Sequence, residues 1–156
     1  MKYLGYSFRI MRGECRLTVH SKTYAKLKQK LKVATHRSNG MGYQSRKDKM
    51  HQIIRGWITY FQLADMQHRL KAIDEWLRRR YRMCLWKAWK KCRTKVKNLI
   101  KCGISEWQAY EWGNSSKKYW RVAKSPILHR AMSNEALRRQ GWPCLMDYHR
   151  LIVRVQ

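Results

Sequence analysis

The sequence predicts a mainly α protein: a three-helix bundle preceded by a short N-terminal β-hairpin and followed by a second lobe of short helices. Three observations predict it. Apolar residues recur at helical spacing through residues 21–93. The first twenty residues alternate with a period of two instead. Beyond residue 93, cap and stop signals follow one another at short intervals. The chain has 156 residues, 44% of them apolar, with eight Trp and nine Tyr. That is material for a core burying roughly two-thirds of the unfolded surface.

The hairpin is predicted from KYLGYSFRI and CRLTVH around MRGE. Tyr6, Phe8 and Ile10 alternate with polar residues, as do Leu17 and Val19, and Gly13 suits the turn. A lone hairpin is marginal in water, so this one must dock on something. Ser21 caps the first helix, which runs to about Thr35 with Tyr24, Leu27, Leu31 and Ala34 on one side. Lys22, Lys26, Lys28, Lys30 and Lys32 form its other side. Arg37 to Gln44 reads as a loop; its Gly40-Met41-Gly42 lacks the third glycine and the lysine of a phosphate loop. Ser45 and Asp48 resemble a capping box, followed by Met50, Ile53, Ile54, Trp57, Ile58 and Phe61 at helical spacing. Gly56 interrupts that helix at a cost of roughly 1 kcal/mol, a device for close approach by a helix or a nucleic-acid backbone.

The third helix is the centre of the prediction. From an N-cap at Asp65 to Arg93, Met66, Leu70, Ile73, Leu77, Tyr81, Cys84 and Ala88 fall on one face. Arg78, Arg79, Arg82, Lys90 and Arg93 fall on the other, with Trp86 and Trp89 on or beside that charged face. Asp74 with Arg78, and Glu75 with Arg79, have the spacing of weak helical ion pairs. Thr94 then caps a brief helix with Val96, Leu99 and Ile100, closed by Gly103. Ser105 and Gln108 read as a capping box before Trp107, Tyr110 and Trp112. Gly113 to Ser116 is a break, Ser125-Pro126 a cap with proline in the first turn, and Ser133 a cap for a helix that Gly141 closes.

Charge bounds the function. Thirty-six Lys and Arg against nine Asp and Glu give a formal net charge of +27, so the compact form calls for a polyanion. Five cysteines without a CxxC, and scattered histidines, complete no zinc pattern and read as reduced thiols. No uninterrupted apolar segment reaches the roughly 20 residues of a membrane span; Ile53 to Phe61 comes closest and holds Arg55 and Gly56. The one adjacent acidic pair, Asp74-Glu75, points two ways on a helix, which leaves no carboxylate cluster for metal-dependent phosphoryl transfer. No nucleophile elbow is present. The reading is therefore a binding protein with no catalytic residues, no metal ligands and no cofactor. Nucleic acid is the first candidate partner and an acidic membrane surface the second, and binding residues are expected in three clusters, which the resemblance below makes RNA-binding: Arg78, Arg79, Arg80, Arg82, Lys87, Lys90, Lys91 and Arg93; Arg46, Lys47 and Lys49; and Lys117, Lys118, Arg121 and Lys124 around Trp120. Trp57, Trp76 and Trp112 are assigned to packing.

The stretches YLGYSF, RGWITYFQLAD, IDEWLRRRYRMCLWKAWKK and NLIKCGISEWQAYEWGNSSKKYWRVAKSPILHRAMSNEALRRQGW resemble the C-terminal part of group II intron reverse transcriptase/maturases. The resemblance implies three domains. Residues 1–20 would be a hairpin resembling the end of a palm, residues 21–93 a three-helix thumb-like bundle, and residues 94–156 a maturase-specific helical lobe. It also implies an RNA-binding maturase domain that helps a group II intron fold and splice. The resembled family is an RNA-directed DNA polymerase, but its fingers, palm and Tyr-x-Asp-Asp signature have no counterpart here, so no polymerase chemistry is expected of this chain. The implied partners are group II intron RNA, template–primer duplex and a separate palm-bearing chain, with no membrane. The implied location is the cytoplasm of a bacterium, or an organellar matrix. Two alternatives stand beside this reading: one half of a split reverse transcriptase, and a non-functional remnant of one.

Overall fold

A computed structural model describes residues 2–155. Three strands and nine helices occur among the described residues, so the mainly α expectation holds. The chain divides into two compact units. The first comprises the residues up to Ala34, Met41–Glu75 and the residues from Pro143 on; the second comprises Thr35–Gly40 and Trp76–Trp142.

In the first unit, β1 (Lys2–Tyr3), β2 (Tyr6–Met11) and β3 (Glu14–Val19) form an antiparallel sheet in that order. Two-residue turns join them, Leu4-Gly5 and Arg12-Gly13, each with positive φ at both positions. Such turns match the right-handed strand twist, and glycine supplies the second position without strain. Phe8 pairs with Leu17 and Tyr6 with Val19, which puts the alternating apolar residues on one face. That face is docked only at its inner end. Val19 is buried, Tyr6 packs on Phe61 with centroids 5.0 Å apart, and the Tyr6 hydroxyl donates to the Tyr60 carbonyl at 2.6 Å. At the outer end Phe8 is 55% and Ile10 77% exposed.

α1 (Ser21–Ala34) buries Tyr24, Leu27, Leu31 and Ala34, the residues its spacing foretells. α2 (Tyr43–Tyr60) buries Met50, Ile54 and Ile58, and Trp57 packs between Tyr24 and Phe61. The α2 start differs from expectation: Gly42 is the N-cap, with no side-chain cap bond, and Asp48 accepts from Gln44 at 2.9 Å instead of closing a box with Ser45. α3 (Gln67–Ala88) also starts later than an Asp65 cap implies. The Asp65 carboxylate accepts from Arg16 at 3.2 Å, and its backbone N–H donates to the Leu17 carbonyl at 2.8 Å, so this residue ties β3 down rather than capping a helix.

α9 (Leu145–Val155) completes the first unit, and Asp74 of α3 holds its start. The two carboxylate oxygens accept from the N–H groups of Leu145 (2.8 Å) and Met146 (3.0 Å) and from the Cys144 thiol (2.8 Å). A carboxylate there satisfies unpaired first-turn donors and opposes the positive end of the helix dipole. Spacing rules read Asp74 only against its neighbours on its own helix; its partners lie about seventy residues on.

The second unit is built around residues 76–88 of α3, with α4 (Cys92–Lys101), α5 (Glu106–Gly113), α6 (Tyr119–Val122), α7 (Pro126–Ala131) and α8 (Asn134–Arg139). α3 stops at Ala88, not Arg93, and α4 starts at Cys92 with Lys91 as N-cap, before the expected Thr94. The cap signals farther on are borne out. Ser125 Oγ accepts from Leu128 N–H ahead of Pro126, and Ser133 Oγ from Ala136 N–H. Gly103 and Gly141 end their helices with positive φ. Ser105 is the α5 N-cap, but its hydroxyl donates to Gln108 Oε1 at 3.2 Å instead of bonding the backbone.

Candidate nucleic-acid interface

Arg80 and Arg82 of α3 belong to the second unit's interior, and Arg79 is half-buried beside them. Arg79 donates through Nε (3.2 Å) and Nη2 (2.8 Å) to the Trp120 carbonyl, and its guanidinium lies over the Trp120 ring, 3.8 Å from the centroid. Arg80 bonds Thr35 twice, Nε to Oγ1 at 2.6 Å and Nη2 to the carbonyl at 3.1 Å. Arg82, 2% exposed, donates to the Met132 carbonyl at 2.9 Å and to Asn134 Oδ1 at 3.0 Å. A guanidinium carries five donors in a rigid fork, which lets it satisfy carbonyls where helices end. Burial pulls the pKa of all three downward, and for Arg82 burial and then the charge of Arg78 bring it to about 10. Arg82 therefore stays protonated at neutral pH.

This corrects the expected charged face. Residues 80–86 of α3 are all buried, tryptophan included: Trp86 is 1% exposed and packs on Trp89, centroids 6.0 Å apart. A helix has a solvent side only where nothing covers it, and here short helices surround the segment. Arg46 of α2 is buried too. These positions cannot present themselves to phosphates without unmaking the interior.

The remaining expected residues stay at the surface. Lys49, Lys90, Lys91, Arg93, Lys117, Lys118, Arg121 and Lys124 are exposed; Lys47, Arg78, Arg79 and Lys87 are half-buried. In the second unit several cations gather on aromatic rings. Lys95 Nζ lies 4.8 Å from the Trp86 centroid and 5.9 Å from that of Tyr119, Arg37 sits 5.3 Å from Tyr119, and Lys117 Nζ 4.5 Å from Trp112. Lys87 Nζ steadies the neighbouring loop by donating to the Arg37 carbonyl (2.8 Å) and Ser38 Oγ (2.7 Å). Sequence reading missed Arg37, Lys95 and Tyr119. Helical spacing within α4 cannot tell which lysine meets an aromatic ring from another element. Cations alternating with ring faces can meet both phosphates and bases.

The first unit presents cations of a different kind. Lys22, Lys26, Lys28, Lys30 and Lys32 of α1 are exposed along one side. On α2, Gln52, Arg55, Gly56 and Thr59 line a groove of about 660 Å³ with Tyr60 and Tyr148. A Cβ on Gly56 would meet nothing within 4 Å, so no part of the described fold needs glycine there. His51 Nδ1 and the Tyr148 hydroxyl share a hydrogen bond of 2.6 Å at the groove wall.

Arg16 pairs with Glu14 and Asp65, and with nine Asp and Glu in the sequence against thirty-six Lys and Arg the acids cannot offset the cations. No group of three or more His, Cys, Asp or Glu stands close enough to hold a metal among the described residues. No helix there is long and apolar enough to cross a membrane. Comparison with curated proteins gave no match. The family model of the group II intron maturase-specific domain matches residues 24–103, slightly more than half the chain, from the first turn of α1 to the turn that ends α4. The chain belongs to the group II intron maturase-specific domain family.

Proposed function

We propose that this protein binds the RNA of a group II intron and stabilises the fold in which that RNA splices, with no polymerase chemistry of its own. The observation that carries the reading is the surplus of Lys and Arg, thirty-six against nine Asp and Glu with many of them exposed, in a chain of this family. The RNA carries the splicing chemistry. The protein acts by binding one RNA conformation more tightly than the others, which shifts the population by the difference in affinity. Candidate contacts are the exposed cations around Tyr119 and Trp120, with Lys117, Lys118, Arg121 and Lys124, and the α1 and α2 surfaces with Lys47 and Lys49.

Crosslinking followed by sequencing of bound RNA tests it. Enrichment of a group II intron over bulk RNA is expected, with binding that weakens steeply in salt; no enrichment over bulk RNA overturns it. Primer extension by the purified chain should yield no product with any divalent ion.

The outer half of the hairpin favours a second reading, one half of a split reverse transcriptase. Phe8 and Ile10 offer an apolar surface that a palm-bearing chain would cover. Co-expression with such a chain should then protect the amides of β2 and β3 from exchange. Unchanged exchange removes this reading.

A further inference from the structure

α4 and α5 approach each other through Val96 and Gly113. A Cβ on Gly113 would come within 2.5 Å of Val96 Cγ2, so glycine alone permits the approach. Beside this contact opens a groove of about 450 Å³ lined by Arg93, Val96, Lys97 and Ile100 of α4 and by Tyr110 and Asn114 of α5. That volume is of the order that holds small organic ligands. Tyr110 is 54% exposed. One helical turn before it, on the same side of α5, Trp107 is 72% exposed, and every other tryptophan among the described residues is buried or half-buried.

The fold does not account for these rings. α5 buries Ala109 and Gly113, whereas Trp107 and Tyr110 face water. A flat aromatic face left in water, in a strongly cationic protein, suits the flat face of a nucleobase. Glu106 and Glu111 flank the two aromatics along α5, while Arg93 and Lys97 stand on α4. Arg130 of α7 also donates to Gln108 of α5 at 2.9 Å, and Arg93 and Lys97, which line the groove beside Tyr110, are the cations nearest the exposed rings on the α4 side.

We propose that Trp107 and Tyr110 form a stacking platform for unpaired bases of RNA, with Arg93 and Lys97 holding the adjoining phosphates. The proposal deepens the RNA-binding reading above and rests on it. The occupant is single-stranded because a paired base hides its faces in the stack, leaving only backbone and groove edges to a protein.

The test compares a fluorescent single-stranded oligoribonucleotide with a blunt RNA duplex of the same length, using the full chain. Trp107→Ala should weaken single-strand binding by about 5- to 100-fold. It should leave duplex affinity, salt slope and melting temperature unchanged, and Trp107→Phe should restore most of the loss. Arg93→Ala with Lys97→Ala should instead flatten the single-strand salt slope by about 1.4, near 0.7 for each phosphate no longer neutralised. If the parent binds neither RNA, the RNA-binding reading itself fails and this proposal with it. If the parent binds and Trp107→Ala binds the single strand equally well, only the platform is overturned. Equal losses on both RNAs, or a lowered melting temperature, make Trp107 structural and also overturn it. A parent that self-associates through Trp107, with RNA affinity unaffected by the substitution, assigns the patch to protein contact and overturns it as well.

Discussion

Two stretches of the second unit carry dense positive charge, residues 78–82 and residues 117–124, and the fold uses them in opposite ways. In the first, Arg80 and Arg82 are buried and Arg79 is bonded to a carbonyl. In the second, Lys117, Lys118, Arg121 and Lys124 are exposed on and around a four-residue helix. Composition does not separate them; position does. The arginines lie on the long helix that the unit is packed around, where carbonyls of the surrounding elements need donors. The later cations lie on and around a short helix that leaves them exposed. A cluster of positive charge is thus a surface only where the fold leaves it uncovered, and an arginine is better fitted than a lysine to the covered case.

The largest effect should come from breaking the inward use. Arg82→Ala should cost about 2–4 kcal/mol, because it removes buried packing and strands the Met132 carbonyl and Asn134 side chain without their donor. Arg82→Lys should recover little, since an ammonium cannot fork to both acceptors. Denaturant melts read both; a variant as stable as the parent would mean the guanidinium is not part of the interior.

Asp74 is the acidic counterpart of that use, and Asp74→Ala should cost about 1–2 kcal/mol with faster amide exchange through α9. Its neighbour Cys144 adds a pH dependence. Burial, reinforced by the Asp74 charge, pushes the thiol from its ordinary value of 9.0 up to about 11. The fold favours the protonated thiol, so this contribution is complete below pH 9 and is lost as pH rises toward 11. Melting temperatures of the parent should fall across that window more than those of Cys144→Ala.

Gly56→Ala sharpens the comparison from the other side, because it alters a surface the fold does not use. It should raise stability by about 0.5–1 kcal/mol through helix propensity alone. If nucleic acid approaches α2 there, the same substitution should weaken RNA binding while the protein becomes more stable. Lower stability would show that Gly56 packs against something within the fold.

The smallest stability effect belongs to the exposed cluster. Replacing Lys118, Arg121 and Lys124 with alanine should change stability by no more than about 0.5 kcal/mol. It should flatten the RNA salt slope by about 0.7 for each phosphate the cluster had neutralised. An unchanged slope would remove this cluster from the interface.

Local signals in the sequence proved readable where a residue acts on its own element. The buried sides of α1 and α2 followed from apolar spacing, and the Ser125 and Ser133 caps from single residues beside their helices. Readings failed where the partner is distant. The polar side of α3 reads as solvated until the loop at Thr35 and the segment at Met132 and Asn134 are laid against it. Trp86 looks exposed for the same reason. The exposure of Lys117, Lys118, Arg121 and Lys124 was legible in the sequence, and the burial of Arg46, Arg80 and Arg82 was not. Pairing Lys95 with Tyr119, or leaving Trp107 uncovered, depends on how separate helices meet, and helical spacing within one element carries no record of that.

The bonds from Asp74 to Leu145 and Met146 have a consequence for how the molecule is made. They close a loop of about seventy residues, and nearly all of the second unit lies inside it. At roughly 5–20 residues per second, several seconds of synthesis separate the carboxylate from the N–H groups it receives. The sequence of the second unit is complete at Trp142, near the end of that interval, while the first still lacks its last helix. A released chain truncated before Pro143 should therefore protect residues 76–142 from protease while α2, which α9 packs against, is still cut. Equal protection of α2 at that length would show that the first unit folds without its last helix. The first part of the chain to reach its folded form is then the later-encoded one.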